Sequence, residues 1–137
     1  MAKIIVTANI VIPNGPKLAL NQTVEIDAYD KIDVTIPAPP DAAAADMEVE
    51  LQPGGPEQVK FIAIVSDWFS DKLSYKINDA TADPRTLDQP HLLAGAGAVS
   101  LFDSAAPPMS LFFTNASAGA DAKPANVQIL IGRDATP

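Results

Sequence analysis

A two-residue alternation of apolar and polar side chains runs almost the whole length of this chain. It restricts the fold to stacked β-sheets. Successive side chains of a strand point to opposite faces, so this period buries one face and wets the other. Val24, Ile26 and Ala28 alternate with Glu25 and Asp27, and Ile32, Val34 and Ile36 with Lys31, Asp33 and Thr35. Met47, Val49 and Leu51 alternate with Glu48 and Glu50, and Leu73, Tyr75 and Ile77 with Ser74 and Lys76. Residues 109–115 and 126–132 read as further strands. Residues 59–65 are almost continuously apolar, which predicts a central strand covered on both faces.

The first strand is unusual. Ile4, Val6, Ala8, Ile10 and Ile12 occupy one face, while Ile5 and Val11 share the other with Thr7 and Asn9. With β-branched residues on both sides, it is expected to be covered on both. It stops at the turn signal Pro13-Asn14-Gly15-Pro16, and Pro53-Gly54-Gly55-Pro56 is a second such signal. Only Tyr29-Asp30 separates the runs 24–28 and 32–36, which predicts a tight hairpin or one bulged strand there. Ala42–Ala45, within a Pro/Ala-rich segment, suits a short helical turn. Residues 78–90 read as loop or edge and residues 105–108 as a break; 92–102, broken by Gly95 and Gly97, suit a strand or a short helix, with strand preferred.

The sum is nine or ten short strands at spacings of roughly 8–14 residues, the pattern of an all-β sandwich or barrel. The expected architecture is a single domain over 1–137, a two-sheet antiparallel sandwich of jelly-roll type. An immunoglobulin-like sandwich comes second, since the Cys…Trp…Cys arrangement is missing. Thirteen prolines, each lacking a backbone donor, fit many short elements joined by stiff loops. Phe61, Phe112 and Phe113 are expected to fill the core with the aliphatic strand residues.

Charge and composition narrow the chemistry. The net charge of −8, with no cluster of Lys or Arg, disfavours phosphate backbones and anionic membranes. No segment approaches the ~20 apolar residues of a membrane span. Thr7 and Asn9 interrupt the first apolar run, so it reads as a strand and not as a signal peptide. A cytoplasmic or virion-associated location is expected. The absence of Cys excludes disulfides and thiolate chemistry.

His91 is the single histidine, which excludes a multi-imidazole metal site. It follows Pro90 and reads as a structural or exposed residue. Asp27, Asp30 and Asp33, and Asn78 with Asp79 and Asp83, lack the spacing of a calcium loop; Asp is a favoured turn residue. Glu25, Glu48 and Glu50 sit on polar strand faces, where carboxylates serve solubility. No Gly-x-Ser-x-Gly exists, and Gly95-Ala96-Gly97 lacks the rest of a nucleotide-binding fingerprint. No catalytic set, cofactor or metal is expected.

Binding is the remaining class. Trp68 and Phe69 fall in a predicted loop and Tyr29 in a predicted turn. Such aromatics either fold back to cap the core or serve an interface or ligand. The leading expectation is a non-enzymatic structural subunit whose partner is itself, a homo-oligomer. In general character it resembles accessory proteins of phage virions or tails: small, Cys-free, Pro-rich and all-β. The alternative is a carbohydrate-binding module with Trp68, Phe69 and Tyr29 as a stacking platform for glycans.

Overall fold

A computed structural model describes residues 2–38, 47–51, 58–102 and 108–134. Among the described residues, ten strands make three antiparallel sheets: a two-stranded hairpin, and two four-stranded sheets that form an all-β sandwich. The hairpin consists of β1 (Ala2–Val11) and β2 (Lys17–Ile26). The first sheet has the order β3-β10-β5-β8, from Ala28–Ile36, Ala125–Arg133, Val59–Ser66 and His91–Ala94. The second has the order β4-β9-β6-β7, from Met47–Glu50, Ser110–Asn115, Leu73–Ile77 and Arg85–Thr86.

The pairings are nested. β3 pairs with β10, β4 with β9, β5 with β8 and β6 with β7. A long antiparallel ribbon folded over itself so that alternate strand pairs fall in opposite sheets gives this order.

The core lies between the sheets, where the expected alternation holds. Leu73, Tyr75 and Ile77 face Leu111 and Phe113 across the β6–β9 pairing, and all five are buried. From the first sheet come Ile62, Ile64, Val127, Ile129 and Ile131. β5 lies between β10 and β8, as its continuous apolar run predicts.

Several expectations need correction. The break between the second and third strands falls at Asp27, not at Tyr29-Asp30. β2 is held by β1 while β3 is held by β10, and the Asp27 N–H bonds to the Arg133 carbonyl where the chain changes sheet. The hairpin runs instead through Pro13-Asn14-Gly15-Pro16, where Asn14 takes φ 60° and the Gly15 N–H bonds back to the Ile12 carbonyl at 2.8 Å. Residues 92–102 are not one strand. Gly95 takes φ 95° and ends β8, and α1 (Ala96–Val99) follows as a single turn. Phe113 is in the core, but Phe112 points outward and is half-buried. The expected turns at 42–45 and 53–56, and most of the break at 105–108, lie outside the described residues.

The first strand is not covered on both faces. Val6 alone within β1 is buried; Ile5 is 69% exposed. Opposed residues of an antiparallel pair share a face. One face of the hairpin therefore carries Ile4, Val6, Ala8 and Ile10 opposite Val24, Gln22, Leu20 and Leu18. The other carries Lys3, Ile5, Thr7, Asn9 and Val11 opposite Glu25, Thr23, Asn21, Ala19 and Lys17.

The base of the apolar face packs on the outer side of the first sheet. A Cβ at Gly132 would lie 2.7 Å from Ile4 Cδ1 and 3.0 Å from Ile26 Cγ2, so glycine lets the hairpin approach the β10 backbone. Phe61 sits opposite Gly132 on that same outer face and is 3% exposed, yet it does not belong to the main core. Val6, Ile26 and Phe61 form a small second core under the hairpin base. A bulge at Gly132/Arg133 shifts the register and returns Val59 to the main core.

Candidate functional site

Trp68 and Phe69 follow β5 at one end of the sandwich, half-buried and packed against the main core. The Trp68 indole N–H donates to the Pro124 carbonyl at 2.9 Å, and Lys123 Nζ stands 5.1 Å from the ring centroid. This is a cation–π contact that occupies one ring face. A shallow depression of about 470 Å³ lies beside these rings, with Asp71, Lys72 and Asp121 on its walls. The neighbouring loop is pinned by Asp67, whose carboxylate accepts from the Asn126 backbone N–H at 3.0 Å and side chain at 3.1 Å. The backbone N–H of Asn126 holds Asp67 below the ordinary carboxylate range.

Tyr29 is exposed on the outer face of the first sheet, opposite Gly132. Gly132 lies six positions along β10 from Asn126, the residue that bonds the Trp68 loop, which is roughly 20 Å at the rise of a strand. The structure therefore brings Trp68 and Phe69 together but leaves Tyr29 at the opposite end of the sheet. The three do not form one platform.

The polar residues weighed for chemistry carry structural contacts. Asp79 Oδ1 accepts from the Thr81 N–H at 2.8 Å, which lowers its pKa and closes a turn. Asn78, at φ 67°, accepts from the Met109 N–H at 2.6 Å. Asp30 pairs with Arg133, and Asp33 with Lys31 at 2.9 Å. Glu25, Glu48 and Glu50 are exposed. Among the described residues no three His, Asp or Glu side chains are grouped to hold a metal ion, and no helix is long and apolar enough to cross a membrane.

His91 closes the gap between the sheets. It lies on β8, and its Nδ1 stands 2.5 Å from the hydroxyl of Tyr75 on β6. Burial pushes the Tyr75 hydroxyl far above its usual range, so it keeps its proton. Burial also holds His91 below its usual value, against the opposing pull of Asp88, which favours the charged ring; burial prevails and favours the neutral one. The Tyr75 ring packs on His91, Phe102 and Phe113 at centroid distances of 5.5, 6.0 and 5.6 Å. Arg85 clasps the Phe102 carbonyl at 2.8 Å and holds the turn after α1 over this cluster. Period-two reading placed Tyr75 inside but had no signal for its partner on another sheet.

A second buried polar unit joins β9 to β3. Asn115 donates to the carbonyls of Ile36 at 3.3 Å and Lys123 at 2.7 Å, and accepts from the Ser117 hydroxyl at 2.7 Å. The Asn115 side chain is thus closed off: the residue is 4% exposed and its amide is bonded.

Much of the apolar surface left in water lies on the hairpin, on both of its faces, with Ile5 and Val11 exposed on one and Ile10 and Leu18 on the other. The hairpin beyond its base stands clear of the sandwich, with Ile10, Ile12 and Leu18 exposed by 51, 56 and 56%. Beside the hairpin base, the next row of the first sheet's outer face runs Leu130, Ala63, Leu92, and Leu92 is 51% exposed. The outer face of the second sheet differs: Glu48, Glu50, Ser74, Lys76 and Thr114 surround the lone Phe112. In comparisons with protein-family models, curated proteins and solved structures, nothing matches this chain.

Proposed function

We propose that this chain is a non-enzymatic structural subunit that assembles with further copies of itself into a homo-oligomer. The observation that carries the reading is the hairpin. Its apolar face continues past the body into water, and an isolated two-stranded ribbon is marginally stable at best. Symmetric association is the usual way to cover such a surface.

The nested pairing of β3 with β10 through β6 with β7 supports the jelly-roll reading of the sandwich. Jelly rolls build viral capsids and lectins among other things, so the fold fits a phage virion or tail accessory protein by analogy alone. The carbohydrate-binding reading has less support. Lys123 sits on one face of Trp68, and Tyr29 lies too far away to extend the platform.

Sedimentation velocity at micromolar concentration tests the proposal. A defined oligomer is expected, and a monomer overturns it. Titration with a glycan panel, read on the fluorescence of the single tryptophan, is expected to give no response.

A further inference from the structure

We infer that the β1–β2 hairpin is an exchange arm: its tip lies, apolar face down, on the Leu130–Ala63–Leu92 row of a second copy of this chain. The inference rests on the homo-oligomer proposed above and adds the two surfaces that meet.

Three observations select a second copy as the occupant. The first is continuity. The arm's base already covers the Gly132–Phe61 row of its own sheet, using Ile4, Val6 and Ile26. The same face of the arm runs on through Ala8, Leu20, Ile10 and Leu18, and the same face of the sheet runs on through Leu130, Ala63 and Leu92. Each is the kind of surface the other already meets at the base, and each is left partly uncovered within one chain.

The second is area. Ile10, Ile12, Leu18 and Leu20 together leave roughly 350–400 Å² of apolar side chain in water, comparable to the largest apolar patch of a typical monomer. Two arms together offer roughly 700–800 Å² of apolar side chain, to which each receiving face adds Leu92, 51% exposed, and the half-buried Leu130 and Ala63.

The third is charge. Residues 1–26 carry Lys3 and Lys17 against Glu25, a net of +1, while the rest of the chain has seven basic and sixteen acidic residues, a net of −9. The net positive charge of the arm suits the net negative body of another copy. Complementary charge speeds the encounter and disfavours wrong pairings. The second sheet's outer face, with Glu48 and Glu50, offers charge without an apolar row. Reciprocal exchange closes a dimer, and head-to-tail exchange closes a ring.

The native chain has no Cys, so single cysteines report contacts without background. Under mild oxidation at micromolar concentration, Leu18→Cys chains mixed with Leu92→Cys chains should give a covalent dimer. The yield should exceed that of Leu18→Cys mixed with Glu48→Cys by at least tenfold. The double variant Ile10→Asp/Leu18→Asp, checked for a native circular dichroism spectrum, should sediment as a monomer, and Leu92→Asp should do the same. If the unmodified chain is a monomer, the proposed oligomer and the arm exchange both fail. If the chain is oligomeric but the double variant leaves it intact, or Leu18→Cys couples best to itself or to Glu48→Cys, the oligomer stands and the arm exchange is wrong.

Discussion

β1 and β5 are built from the same material and meet opposite fates. β1 reads Ala-Lys-Ile-Ile-Val-Thr-Ala-Asn-Ile-Val, and β5 reads Val-Lys-Phe-Ile-Ala-Ile-Val-Ser. Both carry β-branched residues on both faces. β5 sits between two strands with a sheet on one side and the arm base on the other, and every one of its residues is at least half-buried. β1 has one strand neighbour, and all of it beyond Ala8 is exposed. The difference teaches that apolar content on both faces marks a demand for cover. Whether the same chain meets that demand depends on where its neighbours fall.

The joint between the two regions is the first place to break this contrast. Phe61→Ala removes the residue that joins the arm base to β5. It should cost about 3–5 kcal/mol in urea unfolding, because the pocket under the arm cannot collapse. It should also free the arm, read as faster proteolysis within residues 7–20. A loss below about 1 kcal/mol would mean that the arm does not rest on this sheet.

Gly132→Ala probes the same joint more gently. Its Cβ meets the ends of Ile4 and Ile26, and Ile26 is buried and cannot swing away. Overpacking of this kind typically costs about 1–3 kcal/mol. Unchanged unfolding would show that the arm is free to lift from β10.

Inside the body, the pH dependence of His91 sharpens the contrast, since the arm holds no titrating partner of this type. His91 has a folded-state pKa below its unfolded value of about 6.5. Its contribution is therefore complete above about pH 6.5 and is lost as the pH falls through its lowered folded value, because the unfolded chain takes up the proton first. The urea midpoint of the native chain should fall between pH 7 and pH 5 relative to that of His91→Gln. Parallel curves for the two proteins would show that the ring titrates as in water.

The smallest effect belongs to the polar outer face of the second sheet. Glu48→Ala should change stability by less than about 0.5 kcal/mol, because the carboxylate is exposed. A large loss would mean that this face is covered and that the contrast between the two outer faces is false.

Much of the body was legible. The alternation at 73–77 identified inward residues correctly, since that strand lies in a sandwich with one dry side, and 126–132 was legible as a strand. The Asn14-Gly15 turn was legible because its backbone requires φ > 0, and its composition supplies residues that tolerate it. The break at Asp27 was not, since both flanking runs keep the same period and the change of sheet depends on which partner each strand finds. Trp68 and Phe69 were legible as neighbours. Their distance from Tyr29 depended on strand register.

By itself, then, the order of residues determined that this chain makes strands, where it turns, and which side chains of most strands seek cover, because period and turn chemistry are local. The tertiary structure decided which cover each strand receives. It put Phe61 under the arm instead of in the core, joined Tyr75 to His91 across two sheets, and left Ile10, Leu18 and Leu92 in water. Those outcomes depend on contacts between residues far apart along the chain, and no local pattern specifies them.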